Sequence, residues 1–359
     1  MASPHGGVCV KIFSNAMKIV HILLTSRFAG TERYMIELAN AQSHRHDVTV
    51  ILHRNAAQAR PDAWSHRLGP EVRQVHVSGW WWWAWAQVRR ALIEIEPDVA
   101  HAHLSGGCRS LRGLRLSGLR LATLHIRYKP QQHADLDALI AIAPWQLAAI
   151  PAALQARTRQ IDNWTDMRPF DPEARRRIRL QWGVAENEIL VGAMGRMEPS
   201  KGMDLLIRAF SAVAQPGLRL ALVGAGTSWS SLRQMAGQDV IMPGFAEHPH
   251  ECLAAFDWFV SPARSEPFGL VMLEAMASGL PILATASEGA QHLAALIGRP
   301  LVPCNDVDAL QAALQTIVSS RPQRQSYDLR PYQLDTQVAA IEDWYAQAMA
   351  RVQIPRRDS

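Results

Sequence analysis

The chain has 359 residues, 48% hydrophobic and 19% charged. It is too long for one ordinary core, suits two domains of roughly 150 to 180 residues, and excludes global disorder. Its net charge of +5 is uneven: residues 1–163 hold 19 Lys and Arg against 11 Asp and Glu, and residues 164–359 hold 18 against 21. A basic front half and a mildly acidic back half suggest that the halves meet different partners.

Residues 1–16 read as an N-terminal extension without the apolar run of a secretory signal. Strands are then expected at KIVHILL (18–24), DVTVILH (47–53), EVRQVHV (71–77), DVAHAH (98–103), RLATLH (120–125) and ALIAIA (138–143). Amphipathic helices fall between them at 32–42 and 85–96. The longest uncharged stretch, Ala138–Ala156, is interrupted by Pro144 and Pro151, so a buried strand and a short helix are expected rather than a membrane span. A polar stretch at 161–177 reads as the domain boundary. Behind it come strands at 188–195, 218–224, 239–244, 257–262 and 280–285, with helices at 202–214, 230–237, 250–256, 270–279 and 306–318. Strand–helix alternation throughout predicts an α/β protein with two tandem parallel sheets covered by helices.

Ligands of such sheets bind at the C-terminal strand edges. Two segments there carry chemistry. In Gly195-Arg196-Met-Glu-Pro-Ser-Lys201-Gly202, two cations at a strand end precede a helix N-terminus, a combination suited to a diphosphate. In Ser265-Glu266-Pro267-Phe268-Gly269-Leu270-Val271-Met-Leu-Glu274, one carboxylate precedes a helix and one lies in its second turn. A carboxylate among apolar helix residues is costly unless it binds something, and a ribose diol fits it.

These segments, with LRLALVGAG, VIMPGF and SEPFGLVMLEAMASGLPILAT, resemble in order and spacing the retaining glycosyltransferases of family 4. The resemblance implies a GT-B fold: two Rossmann-like domains facing across a cleft, with the C-terminal helix crossing back to the N-terminal domain. The implied domains are 17–163 for acceptor, 164–335 for nucleotide sugar, and a helix at 336–352. It implies diphosphate binding by Arg196 and Lys201, ribose binding by Glu274 and sugar contacts from Glu266. Backbone amides of Phe268, Gly269, Leu270 and Val271 would face phosphate and sugar. Gly244 and Phe245 would flank the base, Gly30 would lie near the phosphates, and His125 would stand near the reacting centre. No metal and no cofactor beyond the co-substrate is expected. The implied activity is retaining transfer of a hexose from a nucleoside-diphosphate sugar, taken as UDP with guanine and adenine left open. The acceptor would be a cell-envelope glycan, lipopolysaccharide or lipid-linked glycan. A degenerate nucleotide-sugar-binding protein and a GT-B epimerase are the alternatives. The loop Ser287-Glu288-Gly289 departs from the family's paired glycines, leaving its contacts open.

Other features stand outside that reading. The four cysteines, Cys9, Cys108, Cys252 and Cys304, form no CxxC pair, which argues against a disulfide scaffold. Gly224 and Gly226 imitate a dinucleotide fingerprint that lacks its third glycine. Asp135 and Asp137 imitate a metal motif but read as structural. His101 and His103 either reach an acceptor or are satisfied strand residues. Trp80–Trp83 and Trp85 are either core or interfacial. Arg109, Arg112 and Arg115 are expected to share a helical stripe. With the tryptophans, they suggest a cytoplasmic protein in peripheral contact with an anionic membrane. No nucleic-acid module is recognised.

Overall fold

The computed structural model describes residues 16–58, 63–319 and 322–352. The expected N-terminal extension, Cys9 included, lies outside the described residues except for its last residue, Ala16. Among the described residues, the first sheet contains β1 (Lys18–Leu23), β2 (Asp47–His53), β3 (Arg73–Val77), β4 (Val99–His103), β5 (Leu119–Leu124), β6 (Ala138–Ala141) and β7 (Thr158–Gln160). Their order is β3-β2-β1-β4-β5-β6-β7. The second sheet contains β8 (Ile189–Met194), β9 (Leu218–Val223), β10 (Val240–Gly244), β11 (Trp258–Ser261) and β12 (Ile282–Ala284), in the order β10-β9-β8-β11-β12. Strand β1 pairs in parallel with β2 and β4, and β8 in parallel with β9 and β11. Each sheet therefore reverses its winding beside its first strand, the position at which open α/β sheets leave a crevice for ligands.

The chain divides into two compact units. One holds Met1–Thr123, Lys129–Leu139 and Tyr345–Ser359; the other holds Leu124–Tyr128 and Ile140–Trp344. In the second unit, successive residues of β8 feed opposite faces. Leu190 joins a cluster with Phe256, Phe259, Met272 and Leu273, while Val191 joins one with Met203, Leu206 and Phe210. Burial on both faces explains why these strands read as unbroken apolar runs.

Three local expectations change. The polar stretch read as the domain boundary runs into a helix, Pro172–Trp182, that was not expected. Asp171 accepts from the Glu173 and Ala174 amides, Pro172 occupies the first turn and Gly183 ends the helix, a full set of capping signals masked by the surrounding arginines. The helix placed at 85–96 starts earlier and spans Trp81–Ile95. Its buried stripe is only Ala84, Val88 and Leu92, so Trp80–Trp83 are exposed rather than core. The arginine stripe is not helical: helix Leu104–Leu111 stops before Arg112, whose backbone is extended, and Gly113 turns the chain away.

Candidate active site

The loop after β8 and the loop after β11 are stitched together by the backbone. Ser200 O accepts from the amides of Arg264 and Ser265, at 2.8 and 3.2 Å. Arg264 reinforces this with a forked pair to Asp204, both bonds 2.7 Å, and a bond to Pro199 O. That guanidinium holds the Asp204 carboxyl below its usual range. Gly202 has φ +65, and a Cβ there would stand 2.0 Å from Pro262 O, so a side chain would force the loops apart. The result brings Lys201 and Glu266 together, Nζ to Oε2 at 2.6 Å, with both side chains largely buried. They line a cavity of about 40 Å³ with Gly195, Gly269 and Val271. Arg196, on the same loop as Lys201, is exposed and bonded to Glu198 at 2.9 Å.

Glu266 opens the turn into helix Leu270–Ala277, which Gly269 caps with φ +97. Intrahelical bonding begins at the Met272 amide, so the Leu270 and Val271 amides belong to the electropositive first turn. Phe268 supplies backbone to this turn, while its ring is buried against His292 and Tyr332. Glu274 lies half-buried in the second helical turn. Gly244 ends β10, its carbonyl accepting from the Gly224 amide at 2.8 Å, and Phe245 beside it is 77% exposed. The imitation dinucleotide fingerprint has a packing cause, since a Cβ on Gly224 would sit 1.9 Å from Gly195 O.

Glu288, in the divergent loop, bonds the Glu266 amide at 3.1 Å and the Ser265 hydroxyl at 3.3 Å. The Gly289 amide donates to Glu266 O at 2.7 Å. The open question about that loop thus has a structural answer: it fastens the backbone of the Glu266 turn.

His125 belongs to the same unit as Lys201 and Glu266. Burial pushes its imidazole down to about 3, so it is neutral at neutral pH. Its loop is held by Gln146, fully buried, whose Nε2 donates to Leu124 O at 2.7 Å while Oε1 accepts from the Ile142 amide at 2.7 Å. The neighbouring Trp145 donates from Nε1 to Pro267 O at 2.9 Å. One short helix, Pro144–Ala148, therefore ties the His125 loop to the Glu266 turn. Sequence reasoning missed Gln146, Arg264 and Asp204 and left the contacts of Glu288 open; a buried amide inside ALIAIAPWQLAAI was the readable signal for the first.

Gly30 lies in the other unit, exposed at the first turn of helix Gly30–Ser43. A Cβ there would meet nothing within 4 Å. The Thr25 hydroxyl donates to Glu32 Oε1 at 2.5 Å and fixes that loop. His101 and His103 are fully buried with His21. His21 Nε2 lies 2.9 Å from Gln42 Oε1, and its Nδ1 lies 3.2 Å from His103 Nε2. His21 must therefore donate to Gln42 and accept from His103. His101 bonds the Tyr345 hydroxyl at 2.6 Å and Thr123 Oγ1 at 2.8 Å. The three rings are close enough to share a metal, yet these bonds occupy both nitrogens of His21 and His101 and one of His103, as in a satisfied network. Asp135 and Asp137 pair with Arg120 at 3.0 and 2.9 Å.

Two family matches cover most of the chain. Residues 28–165 match the family described as Glycosyltransferase Family 4, and residues 188–320 the one described as Glycosyl transferases group 1. The chain is a family 4 glycosyltransferase. A GDP-mannose-dependent monoacylated alpha-(1-6)-phosphatidylinositol monomannoside mannosyltransferase of Corynebacterium glutamicum is 27% identical, over 80% of this chain and 78% of that one. A D-inositol 3-phosphate glycosyltransferase of Actinosynnema mirum is 28% identical, over 74% and 78%. The crystal structure of Anabaena HepE in complex with UDP-glucose matches with a TM-score of 0.71 and 20% identity, over 94% of this glycosyltransferase and 99% of that chain, and the shared fold is GT-B.

Proposed function

We propose that this glycosyltransferase moves a hexose from a nucleoside-diphosphate sugar to an envelope or lipid-linked acceptor with retention of anomeric configuration and without a metal. The observation that carries the reading is the Lys201–Glu266 pair at the crossover of the second sheet. Lys201, Arg196 and the helix N-terminus after Gly269 would stabilise the charge gained by the departing diphosphate. The anomeric C–O bond to phosphate breaks, the acceptor oxygen bonds the same face of the sugar, and the acceptor proton passes to the leaving phosphate. A Glu266 carboxylate bound by an ammonium at 2.6 Å is a poor nucleophile, which favours this route over a glycosyl-enzyme. Neutral His125 would donate to or accept from a sugar hydroxyl, and Glu274 would bind the ribose.

The uracil reading of the base stands against guanine, which the name of the corynebacterial relative favours. The exposed ring of Phe245 would serve either as a platform. A thermal-shift panel of UDP, GDP and ADP on wild type and Glu274→Ala decides: one nucleotide stabilises the wild type selectively and the variant loses the effect. Stabilisation by none, or equal stabilisation of the variant, overturns the assignment. Transfer undiminished by a chelator is the matching test of metal independence. We also propose peripheral contact with an anionic membrane, supported by exposed Trp80–Trp83 and by exposed Arg112 and Arg115. Among the described residues, no helix is long and apolar enough to cross a membrane. Vesicle co-sedimentation that rises with anionic lipid content supports the contact, and indifference to that content overturns it.

A further inference from the structure

The first unit has its own cavity, of about 520 Å³, lined by none of the residues given to the donor site, though Trp80 and Trp81 at its rim belong to the proposed membrane face. It opens where the chain leaves β1, β2, β3 and β4, across the reversal of winding between β1 and β4. One wall is aromatic: the Trp81 and Trp85 rings lie 4.5 Å apart between centroids. Another is polar, with Ser26, His53 and Asn55. The Asn55 amide donates to His53 Nδ1 at 3.3 Å, so Nε2 carries the proton and points at Gly79 O, also 3.3 Å away. That ring is fixed rather than free to swing.

Arg109 lines the same cavity with its guanidinium 5.9 Å from the Trp85 ring centroid. It is exposed and makes no ion pair among the described residues, whereas Arg90, on the Trp81–Ile95 helix, is paired with Glu94 at 2.7 Å. Five residues before Arg109 the backbone takes a left-handed turn: Leu104, where β4 gives way to helix Leu104–Leu111, has φ +57. A bulky residue in that region costs energy and is retained where the turn itself matters.

We propose that this cavity binds a phosphorylated polyol: a sugar or cyclitol ring laid on the Trp81–Trp85 wall, with its phosphate held by Arg109. The C–H face of such a ring is apolar and packs on the electron-rich face of an indole. A forked guanidinium with no competing carboxylate matches a phosphate. The hydroxyls find the side chains of Ser26 and Asn55, while His53, with both ring nitrogens committed, shapes the polar wall. A volume of about 520 Å³ falls in the usual range for small-molecule sites and holds more than one ring. This deepens the proposed function, and rests on it, by making the cavity the acceptor site and a phosphorylated ring the acceptor class.

The test is intrinsic tryptophan fluorescence of the full chain, titrated with myo-inositol 1-phosphate, with myo-inositol and with inorganic phosphate. Arg109→Gln and Trp81→Ala are titrated beside wild type, with UDP or GDP thermal shift as a check that each variant keeps its fold and donor site. The expected result is a saturable response to the phosphorylated ring, weakened about tenfold to a hundredfold in Arg109→Gln, with a weaker response to either half alone. Vesicles containing phosphatidylinositol form a second arm. Binding only there, lost in Arg109→Gln, supports the same chemistry with a lipid headgroup as its source. Flat titrations in both arms, an Arg109→Gln curve equal to wild type, or inorganic phosphate binding as tightly as the phosphorylated ring each overturn the proposal. Because the nucleotide shift is read separately, failure of the donor reading is distinguishable from failure of this one.

Discussion

The crossover of the second sheet and that of the first are built from the same strand pattern and finished in opposite ways. In the second unit the cations and carboxylates are committed: Lys201 to Glu266, Arg264 to Asp204, Glu288 to the turn it faces. The cavity left there is about 40 Å³. In the first unit the cavity is about 520 Å³, its cation makes no ion pair among the described residues, and one wall is aromatic. Fixed dipoles and charges suit bond breaking, where reorganisation at the moment of reaction is what must be avoided. Aromatic walls with few polar commitments suit recognition of a ring.

The comparison breaks most directly at Lys201. Lys201→Ala should lower kcat by about a hundredfold to a thousandfold, the loss typical of one donor aimed at developing charge, and should also lower the melting temperature, since Glu266 is left half-buried without its partner. A rate within threefold of wild type would remove Lys201 from the chemistry. Next comes the stitching. Arg264→Ala leaves the Asp204 carboxylate alone and should cost about 1–3 kcal/mol of stability together with activity, read by denaturant unfolding beside steady-state rates. A stable variant with reduced kcat would show that the stitch serves alignment only. Trp81→Ala should raise the acceptor KM by about tenfold while donor KM and kcat hold, the signature of lost uniform binding. A fall in kcat instead would place the aromatic wall in the transition state.

The smallest effect is on pH dependence, and it concerns both units. Burial pushes His21 down to about 4 and His125 to about 3. Between those values and the ordinary imidazole value near 6.5, the unfolded chain binds protons that the folded chain refuses. Stability from both is therefore complete above about pH 6.5 and declines as pH falls below it. His21→Gln should flatten the decline in melting temperature between about pH 6.5 and pH 4.5 by one proton's worth of slope. An unchanged slope would mean that the decline arises from other groups.

Much of the second unit was legible because its strands are buried on both faces and its site residues follow strand ends in sequence. Lys201 and Glu266 meet because β8 and β11 are neighbours, an adjacency that strand–helix alternation alone does not give. What sequence could not supply was the support beneath them. Gln146 reaches the Leu124 carbonyl 22 residues back in the chain, and Arg264 finds Asp204 60 residues away. No periodicity encodes such pairs. The first unit was legible in its strands and less so in its helices. The tryptophan run is open between core and interface by composition, and since only Ala84, Val88 and Leu92 of its helix are buried, the rings of Trp80–Trp83 are left outside. The arginine stripe failed because a three-residue spacing was read as helix across a chain that turns at Gly113.

Helix Leu334–Val352 lends its end to the first unit, where the Tyr345 hydroxyl bonds His101. The unit that begins the chain is therefore finished by residues synthesised near its end. On the ribosome, β1 to β4 can pair early, but the network of His101, Thr123 and Tyr345 closes only after the whole second unit has emerged. Cutting the gene at any single point between the two sheets would leave the first half without its last helix, so a working fragment of that half must carry residues from both ends of the sequence.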